Sequence, residues 1–201
     1  MNFADLETIK ATNEPVLPDD YDELVSLYMD SVGQTFTDYC GRKFQVDSYT
    51  EFFYGGGEYV FPLELPIRQI NKITVDMMYS QEDLDWTTGT ILDPGDYFLL
   101  PDEGKIWSLY FRYRPSYFRA KTIRVEYDGG FDPIDSEGQD FPIPANLKLA
   151  YIRQIQYEIK RRKDLGLSTV TFKDGNVIKQ PNVILLPQVT QVLDYYRNLN
   201  I

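Results

Sequence analysis

Apolar residues return every three or four positions through residues 144–164, PANLKLAYIRQIQYEIKRRKD, so that Leu149, Ile152, Ile155 and Ile159 fall on one side of a helix. Pro144 presets φ at the first helical position, and Lys160, Arg161, Arg162 and Lys163 crowd the last turn, where the helix dipole favours cations. Gly166 follows as a stop. The pattern predicts a surface helix docked by one face, and the rest of the chain is arranged around it.

Residues 4–11 carry a short helical pattern, broken by Asn13 and Pro15. From Asp19 a longer one begins: Asp20 and Glu23 have capping-box spacing, Leu24, Tyr28, Val32, Thr35 and Tyr39 line one face, and Gly41 ends it. After Phe44 the pattern shortens to β-prone runs punctuated by Gly and Pro. Strands are predicted at 49–54, 59–63, 70–77, 97–100, 106–111 and 122–127. In the last of these, Ile123, Val125 and Tyr127 alternate with Thr122, Arg124 and Glu126, which gives one wet face. The stretches 84–93 and 114–119 read as loops. Residues 170–180, VTFKDGNVIKQ, place Asp174-Gly175 between β-prone flanks and predict a hairpin or arm with no obvious sheet to join. Such a segment either folds privately on its own domain or pairs with another chain. Pro187 opens a terminal helix with Val189, Val192, Leu193, Tyr196 and Leu199 on one stripe.

The expected class is therefore α+β: a small helical bundle of N-terminal, central and C-terminal helices with an inserted antiparallel β domain. The expected division is 1–45 for the N-terminal helices, 46–132 for the β domain, and 133–201 for the central helix, hairpin arm and C-terminal helix. At 201 residues the chain can bury a core without disulfides or metals.

Composition narrows the chemistry. There is no histidine, which excludes Ser-His-Asp and Cys-His catalysis and almost all zinc sites. The single cysteine, Cys40, cannot form an internal disulfide and reads as a small buried apolar side chain. The N-terminus lacks a signal-peptide pattern and no run reaches membrane-spanning length, so a soluble, unexported chain with no membrane partner is expected. A net charge of −11 disfavours wrapping around nucleic acid. The 16 tyrosines suit half-buried, half-wet contact surfaces such as subunit interfaces.

The enzyme reading to weigh is an acid-pair hydrolase built on Asp128, Asp132, Asp135 and Glu137. These residues stand in a Gly- and Pro-containing connector where Asp ordinarily serves turns, and the order of ligands is not that of a calcium loop. Gly55-Gly56-Gly57 lacks the Lys-Ser or Lys-Thr of a phosphate loop and reads as a hairpin tip. No catalytic residue, metal or cofactor is expected.

The ordered set of short motifs resembles the head-tail connector, or adaptor, proteins of long-tailed bacteriophages. A helix pair runs into Tyr39-Cys40-Gly41-Arg42-Lys43-Phe44, where that family commonly shows Thr-Gly-Arg. Leu63-Glu64-Leu65-Pro66-Ile67 is similar to its Leu-Pro-x-x-Pro-Ile strand opening, and Val125-Glu126-Tyr127-Asp128-Gly129-Gly130-Phe131 to its Val-x-Tyr-x-Ala-Gly-Tyr strand end. Ile143-Pro144-Ala145-Asn146-Leu147-Lys148-Leu149-Ala150 resembles its Val-Pro-x-x-Leu-Lys-x-Ala helix start, and Leu185-Leu186-Pro187 its C-terminal helix start. Cys40 replaces the usual Thr, Gly129 the usual Ala, and an acidic, aromatic insert occupies 81–96.

The resemblance implies a virion structural protein at the head-tail interface, present in the host cytoplasm during assembly. Such a protein forms a homo-oligomeric ring, typically dodecameric, docks on the portal protein, offers a platform to the downstream neck or tail-completion protein, and lets genome DNA pass through its lumen without sequence-specific binding. On that reading Phe172, Asp174, Gly175, Val177 and Ile178 in the arm, with Tyr195, Tyr196, Leu199 and Ile201, make subunit and portal contacts. Arg153, Arg161 and Arg162 face an acidic partner or the lumen. Competing classes are another neck or tail-completion ring protein, the acid-pair hydrolase, and a DNA-binding packaging factor, which the net charge opposes.

Overall fold

The computed structural model describes residues 1–13, 15–75, 86–87, 89–100, 108–113, 121–134, 140–161, 169–171, 177–179 and 184–197. The fold is α+β, with a β unit inserted into a helical one. The chain divides into a helical unit, Met1–Arg42 with Pro133–Ile201, and a β unit, Lys43–Asp132.

The helical unit contains α1 (Leu6–Thr12), a single 3-10 turn (Asp19–Tyr21), α2 (Asp22–Cys40), α3 (Ala145–Arg161) and α4 (Pro187–Asp194). Asp5 caps α1, its carboxylate accepting from the Thr8 N–H at 2.6 Å. The predicted capping box at Asp20 and Glu23 does not form: α2 starts at Asp22 after the 3-10 turn, and its N-cap, Tyr21, makes no side-chain cap bond. The carboxylates there serve Lys10 instead, whose buried ammonium lies 2.6 Å from Asp19 and 2.8 Å from Asp22 and ties α1 to the start of α2. Gly41 ends α2 with φ +65°, the left-handed cap that glycine adopts without a Cβ penalty.

The core of this unit is aromatic. Phe3, Phe36 and Tyr151 are fully buried and meet pairwise with ring centroids 5.2–5.8 Å apart. The face α2 buries is Val25, Met29, Val32, Gly33, Phe36 and Cys40, so of the stripe read from the sequence only Val32 belongs to it. On α3, Ile152, Ile155 and Ile159 are buried as expected, while Leu149 is exposed and Leu147, Ala150, Tyr151 and Gln154 turn inward. Between α3 and α4, β8 (Thr169–Thr171) pairs antiparallel with β9 (Val177–Lys179), and among the described residues these two strands form a sheet of their own.

The β unit holds β1 (Asp47–Tyr54), β2 (Tyr59–Val60), β3 (Ile67–Val75), β4 (Thr90–Ile91), β5 (Tyr97–Leu100), β6 (Ser108–Phe111) and β7 (Lys121–Gly129). They make a four-stranded sheet in the order β1-β7-β3-β4 and a three-stranded sheet in the order β2-β6-β5, all pairs antiparallel. One core joins them: Val60, Leu109 and Phe111 from the smaller sheet, and Ile67, Ile73, Val75, Ile123, Val125 and Tyr127 from the larger. In β7, Ile123, Val125 and Tyr127 point inward and Arg124 and Glu126 are half-buried, as the alternation predicts, but Thr122, read on the wet face, is buried.

Two departures from the sequence reading have local causes. β2 stops at Val60, short of Leu63: Pro62 has no N–H to give a ladder, and the Leu63 N–H is taken by the Glu51 carboxylate at 3.0 Å. Thr90 and Ile91, in a stretch read as loop, pair with Val75 and Thr74. Part of the insert at 81–96 thus joins the sheet, and Trp86 packs on Phe52 at 5.2 Å.

Candidate functional site

The residues singled out for contacts fall on three elements of the helical unit: the β8–β9 hairpin, the end of α4 and the outside of α3. In the hairpin, Val177 pairs with Thr171 and Ile178 with Val170. Phe172, Asp174 and Gly175 lie outside the described residues, as do Leu199, Ile201 and Arg162.

At the end of α4 the two tyrosines part ways. Tyr196 is half-buried and its hydroxyl donates to Asn146 Oδ1 at 2.8 Å, fastening the chain end to the start of α3; burial pushes its phenol above the ordinary range. Tyr195 is 45% exposed and faces outward. Just beside them, the Tyr39 hydroxyl donates to Asp194 at 2.6 Å, which with burial raises the Tyr39 phenol, and the Arg197 guanidinium lies over the Tyr39 ring at 5.5 Å. The Cys40 thiol is buried 3.5 Å from the Leu193 carbonyl, and burial pushes its pKa up to about 12, so it is not a poised nucleophile.

On α3, Arg161 folds back on its own helix, donating to the Tyr157 hydroxyl at 2.6 Å with its guanidinium 5.1 Å from the ring centre. Arg153 projects into solvent just over two turns earlier. Of the cations on α3, Arg153 and Lys160 are the exposed ones, and they stand on the same side, seven residues apart.

The carboxylates considered for acid-pair chemistry are engaged elsewhere. Asp128 accepts from the Ser48 hydroxyl at 2.7 Å and the Asn71 amide at 2.9 Å, a cross-strand tie over β1, β7 and β3. Asp132 is buried in an ion pair with Arg68. Asp135 and Glu137 lie outside the described residues. Among the described residues no three His, Cys, Asp or Glu side chains gather to hold a metal, and no helix is long and apolar enough to cross a membrane.

Several structural organisers were not read from the sequence. Gln154, 1% exposed, spans from α3 to the segment before α4, donating to the Ile184 carbonyl and accepting from the Leu186 N–H, both at 3.0 Å. In the β unit the Tyr127 hydroxyl donates to Glu51 and accepts from the Glu64 N–H at 3.0 Å. The Glu64 carboxylate in turn accepts from the Lys43 and Phe44 N–H groups at 2.9 and 3.3 Å, holding Phe44 at a φ of +64° that non-glycine residues rarely adopt. Polar residues inside an apolar pattern were the available signal, but nothing in sequence says which backbone they meet.

No protein-family model and no curated protein matches this chain. The fold does match chains in solved structures of gene transfer agent particles. One chain in the virion of a native gene transfer agent particle superposes with a TM-score of 0.57 and 9% identity, covering 99% of this chain and 91% of that one. A chain in the neck of the empty particle, computed with C6 symmetry, gives 0.53 at 8% identity over 97% and 87%. One in the neck of the native particle, computed with C12 symmetry, gives 0.52 at 9% identity over 91% and 86%. At this identity the likeness is one of fold.

Proposed function

We propose that the chain is a structural, non-enzymatic protein of the neck of a tailed, phage-like particle: a ring-forming head-tail connector that docks on the portal and offers a platform to the next neck or tail component. The observation that carries this reading is the extent of the fold likeness. It spans 91–99% of the chain, taking in the helical and the β parts, and the matched chains belong to a virion and to necks computed with C6 and C12 symmetry. The motif resemblance in the sequence points the same way from independent grounds.

On this reading the hairpin around Val177 and Ile178 and the outward Tyr195 serve contacts with the neighbouring subunit and the portal. Genome DNA passes through the lumen, and the net charge of −11 per chain keeps its phosphates from adhering. The test is sedimentation of the purified chain alone and mixed with portal rings from the same particle. Co-sedimentation in a fixed ratio is expected. A chain that stays apart from portals at low and moderate salt, yet sediments with another neck component, would move the assignment to that ring.

A further inference from the structure

Two outward helix faces of the helical unit carry opposite charge. On α2, Glu23, Leu27 and Asp30 follow at spacings of four and three and are all exposed, Leu27 at 66%. They lie opposite the face that buries Val25, Met29, Val32 and Phe36. On α3, Leu149, Arg153 and Lys160 follow at spacings of four and seven and are likewise exposed, Leu149 at 47%. They lie opposite the buried Leu147, Tyr151 and Ile155. The two helices pack through those buried faces, the Tyr151 hydroxyl donating to the Met29 carbonyl at 2.6 Å, so the two strips look away from each other on opposite sides of the pair. Among the described residues none of the four charges has an ion-pair partner.

Copies of a chain carrying −11 repel one another, so contact between them is favoured where the charge locally reverses. The outer strip of α3 is such a place, and the strip complementary to it is on the same molecule. We propose that the acidic outer face of α2 on one copy docks on the basic outer face of α3 on the next, with Leu27 and Leu149 in the middle and the charges around them. The occupant of each strip is a second copy of this chain. Joining two different faces makes a head-to-tail contact, the kind that closes into a ring when the rotation is right. The proposal rests on the ring reading above and names the surfaces that would build it.

Two charge-reversed proteins test it: Glu23→Lys with Asp30→Lys, and Arg153→Glu with Lys160→Glu, both in the full chain. All four positions are exposed, and circular dichroism checks that each variant folds. Assembly is read by mass photometry and sedimentation, alone and on portal rings. Wild type assembles; each reversed protein alone loses the ring, because it sets like charges face to face. An equimolar mixture of the two regains it, since alternating copies then meet opposite charge at every contact. The same rescue is expected when all four substitutions are combined in one chain.

Folded variants that each assemble like wild type, or a mixture and a combined variant that stay unassembled, would overturn the proposal while leaving the ring reading intact if wild type still forms rings. Loss of portal binding by the α3 variant with its ring undisturbed would assign that face to the portal instead. A wild-type chain that neither self-assembles nor binds portals would remove the ring reading itself.

Discussion

Gln154 on α3 accepts a hydrogen bond from the Leu186 N–H at 3.0 Å and returns one to the Ile184 carbonyl at 3.0 Å, gripping the backbone that leads into α4. The amide is buried, so each bond replaces water the groups have lost. Gln154→Leu keeps the volume but leaves a backbone donor and acceptor unpaired, and should destabilise the chain by about 1–3 kcal/mol. Urea denaturation followed by circular dichroism measures it, and an unchanged midpoint would show that the grip is dispensable.

Tyr127 and Glu51 make the stability of the β unit depend on pH. Burial raises the Glu51 carboxyl above its ordinary 4.5, so between that value and its raised native value the folded chain keeps a proton that the unfolded chain has released. The contribution of Glu51 therefore falls as pH rises through that window. The Tyr127 hydroxyl opposes this by donating to the ionised carboxylate. Tyr127→Phe should thus cost more above the window than below it, comparing denaturation midpoints at about pH 8 and about pH 4. Equal losses at both would mean that Glu51 stays in one protonation state.

Gly129 sits where a Cβ would come 2.3 Å from the Glu64 carbonyl oxygen and 2.9 Å from the Tyr127 ring. Backbone cannot yield as a flexible side chain can. Gly129→Ala should therefore cost about 1–3 kcal/mol through overpacking, although the resembled family commonly carries Ala at this point. A thermal midpoint equal to wild type would show that β7 and the 63–66 segment can separate freely.

Tyr195 and Tyr196 should separate assembly from stability. Tyr195→Ala removes an outward ring and should weaken ring or portal binding with little change in the denaturation midpoint. Tyr196→Phe loses the bond to Asn146 and should cost about 0.5–1.5 kcal/mol without impairing assembly. Binding to portal rings and urea denaturation, measured on both variants, would expose a reversed pattern.

The α+β class was legible in the sequence, as were the helix at 145–161, the inward Ile123, Val125 and Tyr127 of β7 and the strand at Tyr97–Leu100. Each is a matter of local period, and local period is set by the chain's own geometry. The acid cluster was less readable: its carboxylates read as turn residues of a connector, whereas Asp128 stands in β7 and accepts from Ser48 and Asn71, and Asp132 is buried in an ion pair with Arg68.

The inward face of α2 was not legible. Leu24, Tyr28 and Val32 compete at nearly the same spacing with Val25, Met29, Val32 and Phe36, and only the presence of Phe3 and Tyr151 decides which face is covered. That choice also exposes Leu27 between two acids. The Glu51–Tyr127–Glu64 network and the Gln154 grip join residues far apart in the chain, so their partners are set by packing. Sequence by itself determined which segments could be helix or strand, because that follows from short-range periodicity. Tertiary structure decided which side of each is inside, because burial depends on a partner surface that the local pattern does not contain.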